Sequence, residues 1–244
     1  MKQTPGSVRA RWWLTLLIVL ALLLAGLYAA MAALSFRFTP DIPGTERPVL
    51  ATLALLASAF AAYLLAVFVA LRARDGYRLL AVIVLASVLF RIVSVYSWPV
   101  LEIDVYRYIW DGAAVMEGVS PYRYSPQQVL SAMPQAEIAD DLDRLVRLRD
   151  GNAAVETILS RVHYGELPTI YPPVSQAVFA VASYLTPRNT GVRDRIVAMK
   201  VAFVLFDLAT LTVVVVLLRL TGKHVGWSVA YGWCPLVIKE IANT

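Results

Sequence analysis

Apolar residues run from Trp12 to Phe36 without a charge among them, 25 positions in all. At 1.5 Å per residue, a helix of that length crosses a hydrocarbon core about 30 Å thick. A second run, Val49 to Leu71, is as clean, and a third, Leu79 to Trp98, is interrupted only by Arg91. Later, Ile196 to Leu218 carries Lys200 near one end and Asp207 inside it. Two runs are shorter. Val174 to Leu185 has twelve residues, which suits a re-entrant or interfacial helix better than a span. Val225 to Ile238 has fourteen and is broken by Pro235. A cleaved leader is the rival reading of the first run, since AAMAALS offers a cleavage site. That run is too long for a usual leader core, so an uncleaved helix is expected.

Between the third run and Val174 the pattern changes. Leu101 to Glu117 can form a helix ended by Gly118, and GVSPYRYSP reads as a Pro-punctuated turn. Ala136 to Asp150 reads as an amphipathic helix with Ile138, Leu142 and Leu145 on one side. Its Asp140/Arg144 and Asp143/Arg147 pairs have the i,i+4 spacing of helix ion pairs. Gly151 ends it, Asn152 to His163 can form another short helix, and GELPTIYPP leads back towards the apolar runs. The expected fold is all-α and polytopic, in three parts. Residues 1–98 hold three spans, 99–171 form a loop with short helices, and 172–244 hold two to three membrane helices.

Composition agrees. The chain is 59% apolar, with a mean hydropathy of +0.65; soluble domains lie nearer 45–50% apolar. One cysteine, Cys234, excludes an intrachain disulfide and a multi-cysteine metal site. Two histidines far apart make a weak metal case. The net charge of +5 is not clustered as a nucleic-acid footprint would be. It is unevenly spread, however. From Trp98 to Tyr171 there are eleven acidic and six basic residues, whereas the remainder has six acidic and sixteen basic.

Charge also sets an expected orientation. Three Lys or Arg precede the first span and three lie between the second and third, against two in the 37–48 connection. The positive-inside rule then puts the N-terminus in the cytoplasm and the acidic segment outside, at the cell (inner) membrane. The side reached by the last segments depends on whether Val174–Leu185 crosses. Arg188, Arg193, Arg195 and Lys200 favour crossing; the shortness of the run opposes it. The chain stops at KEIANT without a polar tail, which suggests the N-terminal portion of a longer protein.

The residues with chemical potential gather in EIDVYRYIWDG, Glu102 to Gly112, where the third span ends. On a helix, Asp104, Arg107 and Asp111 share a face. Two readings stand. They are solvated interfacial charges, or an acid set at the membrane surface to take a proton from a hydroxyl. Trp98, Tyr106, Tyr108, Trp110, Tyr122 and Tyr124 suit either an interfacial belt or a sugar platform. Arg91 can snorkel, meet a lipid phosphate or meet the acids above it. Asp207 lies deep enough to need a partner or a function. No phosphate-cradling Gly loop and no nucleophile motif is present, so a nucleotide-using enzyme is unsupported.

Three blocks in order then resemble a known family: EIDVYRYIWDGAAVMEGVSPYRYSP, LPTIYPPVSQAVFA and WCPLVIKEIANT. They resemble bacterial polytopic glycosyltransferases of the GT-C fold, nearest the family 87-like mannosyltransferases that use polyprenyl-phosphate donors. The resemblance covers about 100–244. It departs at Ser120 and Cys234, each standing where the family has Asn, and the family's later His-Asp stretch would fall beyond Thr244.

The resemblance implies a GT-C-like helical bundle with interfacial helices in a large extracytoplasmic loop. It implies transfer of a hexose, such as mannose, from a polyprenyl-phosphate donor to a glycan or glycolipid hydroxyl, with inversion. Asp104 falls on the family's acidic position, with Glu102 beside it and Asp111 in the same block. Arg107, Tyr108 and Trp110 match the rest of that block, and His163 and Tyr171 match the next. Arg91, Arg107 and Lys239, beside Glu240, are the candidate partners of the leaving phosphate. No cofactor is implied, and a divalent metal is unsupported. A transporter or lipid flippase, with Arg91 and Asp207 along its path, is the alternative, as is a non-catalytic truncated homologue. A transporter favours broken helices in two related halves, and the sequence has no such symmetry.

Overall fold

The computed structural model describes residues 5–100, 104–133 and 139–242, with side chains from Trp12 onward. Every regular element among them is helical. In chain order these are α1 (Pro5–Ser35), α2 (Val49–Arg72), α3 (Tyr77–Val95), α4 (Val105–Met116), α5 (Pro126–Ser131), α6 (Asp140–Asp150), α7 (Ala153–Ser160), α8 (Pro173–Leu185), α9 (Val192–Leu220), α10 (Val229–Gly232) and α11 (Pro235–Ala242). Four are long and apolar enough to cross a membrane: Trp12–Phe38, Val49–Arg72, Tyr77–Val95 and Val192–Leu220. The protein is an all-α membrane protein. α8, at 13 residues, is shorter than a span.

The chain divides into two units. One comprises Met1–Val100 with Phe203–Asn243; the other comprises Leu101–Ala202. The second is wider than the 99–171 loop expected from sequence, because α8 packs along α4.

In the first unit, α1 turns Leu17, Leu20, Leu24 and Tyr28 inward, a stripe at helical spacing. α2 answers with Ala59, Ala62, Ala66 and Ala70, small side chains that let helix backbones approach. α3 adds Leu79, Ile83, Ala86 and Phe90.

The run Val225–Ile238 is broken at Pro235, as expected, and is divided once more before it. A 3-10 turn at Val225–Ser228 and α10 are followed by a gap and then α11, which starts at Pro235. This broken stretch follows α3 upward. Gly226 abuts the Ala70 carbonyl, the buried Trp233 indole donates to Ile83 O at 3.0 Å, and Arg91 donates to Gly232 O at 2.8 Å. Irregular backbone in an apolar interior must be satisfied by neighbouring protein. Here Tyr63 donates to Ala230 O at 2.9 Å and Tyr28 to Trp233 O at 3.3 Å. Gly226 is required by the close approach, since an added Cβ would lie 2.7 Å from Ala70 O.

Arg91 and Asp207 meet in the same unit. Both side chains are buried and form an ion pair, and Tyr231 donates to the other Asp207 oxygen at 2.6 Å. Arg91 also donates to Ser87 O at 3.0 Å. Its guanidinium serves the broken stretch and its own helix, so of the three readings left open for it, none describes its partners here.

In the second unit α4 is central, packed by α8 and α7, with α6 and α5 behind α7. α4 ends at Gly118 (φ 73°), where Val119 N–H reaches Ala114 O and Gly118 N–H reaches Val115 O. That is a Schellman stop, and it requires a residue that tolerates positive φ. Ser125 and Gln128 form a capping box that starts α5, a helix not expected from the sequence. Buried Arg149 closes α5 at its other end by donating to the carbonyls of Val129, Leu130 and Ala132. Asn152 caps α7. On α6 the Asp143–Arg147 pair forms as expected, but Arg144 pairs with Asp141 rather than Asp140. Ile138 lies outside the described residues.

Candidate functional site

The N-terminal end of α4 and the Tyr171 segment converge on one carboxylate. Asp104 is half-buried just before α4, where the helix dipole favours a negative charge. The Tyr171 hydroxyl donates to Asp104 Oδ2 at 2.6 Å and lies 3.4 Å from the Tyr108 hydroxyl. Burial and the Asp104 and Tyr108 bonds push the Tyr171 phenol well above its ordinary range. Tyr171 is therefore a fixed neutral donor. The Tyr108 ring stacks on Phe179 at 4.8 Å and meets Tyr171 edge-on at 5.0 Å. Tyr122 ties the segment from outside by donating to Tyr171 O at 2.5 Å.

Two turns along α4, Asp111 takes a different position. Only 1% of its surface is exposed. Gln176 Nε2 donates to its Oδ2 at 3.0 Å and to Thr169 Oγ1 at 3.0 Å. Burial raises its pKa to about 6, against the opposing effects of Thr169, Gln176 and Arg107. Asp111 thus ties α4 to the 169–176 segment rather than facing a ligand.

Arg107 does not bridge Asp104 and Asp111. It donates to Leu167 O at 2.9 Å, His163 O at 3.1 Å and Tyr164 O at 2.9 Å. Tyr164 has a φ of 50°, a strained value for a bulky residue. The guanidinium holds that turn in shape just ahead of Tyr171, so its donors are not aimed at a phosphate. Trp110 is buried in the packing of the unit. The His163 ring is exposed, edge-on to Tyr164 at 4.1 Å. Glu102 lies outside the described residues. Arg91, Lys239 and Glu240 belong to the other unit, where Lys239 Nζ pairs with Glu240 Oε1 at 3.0 Å.

Sequence reasoning missed Thr169, Gln176 and Phe179. A lone Gln within the apolar PPVSQAVFA run, three residues before Phe179, was the available signal. Among the described residues no three His, Cys, Asp or Glu side chains cluster so as to hold a metal ion.

No family model, curated protein or solved structure matches the chain.

Proposed function

We propose that the protein is a membrane glycosyltransferase of the GT-C kind, transferring a hexose from a polyprenyl-phosphate donor to an acceptor hydroxyl with inversion. The observation that carries this reading is the Asp104–Tyr171 hydrogen bond. It joins two sequence blocks, 67 residues apart, that each resemble that family.

In this reading Asp104 accepts the acceptor's hydroxyl proton as the oxygen attacks the anomeric carbon. A new glycosidic C–O bond forms while the C–O bond to the phosphate breaks, and polyprenyl phosphate leaves with the electron pair. Tyr171 orients the carboxylate, and Arg107 and Asp111 hold the segment that carries Tyr171.

Topology follows in the same proposal. The N-terminus is cytoplasmic, and four spans put residues 96–191 on the extracytoplasmic side with α8 not crossing. α9 returns to the cytoplasmic side, and the broken stretch re-enters along α3. The transporter reading has less support, because Arg91 and Asp207 are buried partners of each other.

The test is transfer from radiolabelled polyprenyl-phosphate mannose by membranes carrying the protein, beside Asp104→Asn at equal protein level. Transfer by wild type and its loss in the variant are expected. Wild-type turnover in Asp104→Asn removes Asp104 as the base. No transfer from mannose, glucose or arabinose donors overturns the reading.

A further inference from the structure

The second unit contains a cleft that the proposed chemistry at Asp104 does not use. It encloses about 690 Å³ between the C-terminal end of α4, α6, α8 and the start of α9. Pockets for small ligands occupy about 300–1,000 Å³. Ala113, the α4 residue on its wall nearest to Asp104 in sequence, lies nine residues beyond it, roughly 13 Å along one helix. The cleft is therefore a separate place.

Four arginines line it: Arg144, Arg147, Arg188 and Arg195, with Glu117 as the acid. Two of the four have their charge answered, Arg144 by Asp141 and Arg147 by Asp143. Arg188 meets only Glu117, and Arg195 meets no acid. Arg195 is 8% exposed, and its Nε and Nη2 donate to the Thr190 and Arg188 carbonyls. No carboxylate among the described residues pairs with it. Arg188, its side chain 93% exposed, pairs with Glu117 Oε1 only at 3.8 Å, a long ion pair at the surface that is worth little. A nearly buried guanidinium bonded only to neutral carbonyls keeps an unbalanced charge at a cost. An anion in the cleft would balance it. Planar guanidinium groups suit phosphate oxygens, which they can bind two at a time.

A second argument is independent of the cleft's shape. In the four-span topology proposed above, on which this point rests, Arg188 and Arg195 fall on the extracytoplasmic side. The positive-inside rule disfavours that placement. Cations kept there against the rule are accounted for if they bind something.

We propose that this cleft binds the phosphate of a second ligand, a phosphomonoester or phosphodiester, through Arg188 and Arg195. The rest of its volume takes the group to which that phosphate is attached. The phosphate is either carried on a soluble molecule or part of a lipid head group.

Titration calorimetry on the purified full chain in neutral detergent separates these. The probes are inorganic phosphate and glucose 6-phosphate, then short-chain phosphatidylglycerol, with glucose and short-chain diacylglycerol as phosphate-free controls. Saturation by the soluble phosphates assigns the site to a free ligand; saturation by phosphatidylglycerol alone assigns it to a lipid head group. Either supports the proposal if binding weakens at least about tenfold in Arg188→Glu, whose side chain is too exposed to disturb the fold. Arg195→Gln should lose binding as well. No saturation by any phosphate probe below about 10 mM overturns the proposal. So does unchanged affinity in Arg188→Glu. Binding needs no turnover, so Asp104→Asn should bind the probes as wild type does. Loss of transfer and loss of the cleft are then read separately.

Discussion

The Tyr171 hydroxyl donates to the Asp104 carboxylate at 2.6 Å, from a segment that two other α4 side chains hold in place. Arg107 grips the turn at His163–Leu167, and Asp111 reaches Thr169 and Gln176. A hydrogen bond to a charged group is worth about 1.5–3 kcal/mol. Tyr171→Phe should therefore lower sugar transfer by roughly 10- to 100-fold with little change in donor KM. Initial rates at saturating donor check this, with circular dichroism to confirm folding. A rate within twofold of wild type means that Tyr171 does not orient the base.

Asp111 gives a pH signature. Burial raises its pKa to about 6 from an ordinary 3.8, so between those values the folded protein binds the proton more tightly than the unfolded chain. Stability from this group is greatest in acid and declines as pH rises through about 6. The loss amounts to roughly 3 kcal/mol by pH 7. Asn at this position has no proton to lose and still accepts from Gln176. Asp111→Asn should therefore match wild type near pH 4 and become more stable than wild type above pH 6. Thermal unfolding across pH 4–8 measures the difference. A parallel pair of curves rejects the account.

Gly112 sets how closely α4 and α8 approach. An added Cβ there would lie 2.3 Å from Phe179 O and 2.5 Å from Ser183 Oγ, and the first is backbone that cannot swing away. Gly112→Ala must push the helices apart. Overpacking of this kind costs about 1–3 kcal/mol. It also shifts Phe179 under the Tyr108 ring. Expected results are a lower unfolding temperature and reduced transfer, both relieved less by Ser183→Ala than by any change that moves α8.

The Arg91–Asp207 pair should be severe to break and mild to replace. Both side chains are buried, and Arg91 and Tyr231 tie the pair to the broken stretch. Removing one partner leaves a buried charge alone, at about 3–5 kcal/mol. Asp207→Leu or Arg91→Leu alone should abolish stable protein, whereas the double change should recover much of it. Yields of monodisperse protein in detergent report this. Equal losses in all three variants would assign the pair no mutual role.

The long spans were legible because two of the runs, Trp12–Phe36 and Val49–Leu71, carry no charge and the other two only one or two, a pattern that admits few other structures. The short α8 was legible by length, and α4 by its Gly118 stop. Pro235 marked the break in the last apolar run. What it did not reveal was where the loose carbonyls would be satisfied. Their donors, Tyr28, Tyr63 and Arg91, lie well over a hundred residues upstream. Arg91 and Asp207 each read as costly, but 116 residues separate them and no local period links them. Arg107 misled for the opposite reason. Its spacing to Asp104 and Asp111 made a local bridge plausible, while the carbonyls it serves come from a turn some sixty residues later.

The four-span topology has its own test, and α8 decides it. At 13 residues α8 is about 20 Å long, and Gln176, buried against Asp111, lies on one face. If α8 does not cross, Arg188 lies on the opposite side of the membrane from Arg74, in the turn between α2 and α3. If it crosses, both lie on one side. Both positions are exposed, so Arg188→Cys and Arg74→Cys, each with Cys234→Ala, give single reporters. A membrane-impermeant maleimide added to intact cells should label the first and not the second. Labelling of neither, with both labelled after lysis, would place Arg188 inside. That result would return its cluster to the positive-inside pattern and give α8 a transmembrane course.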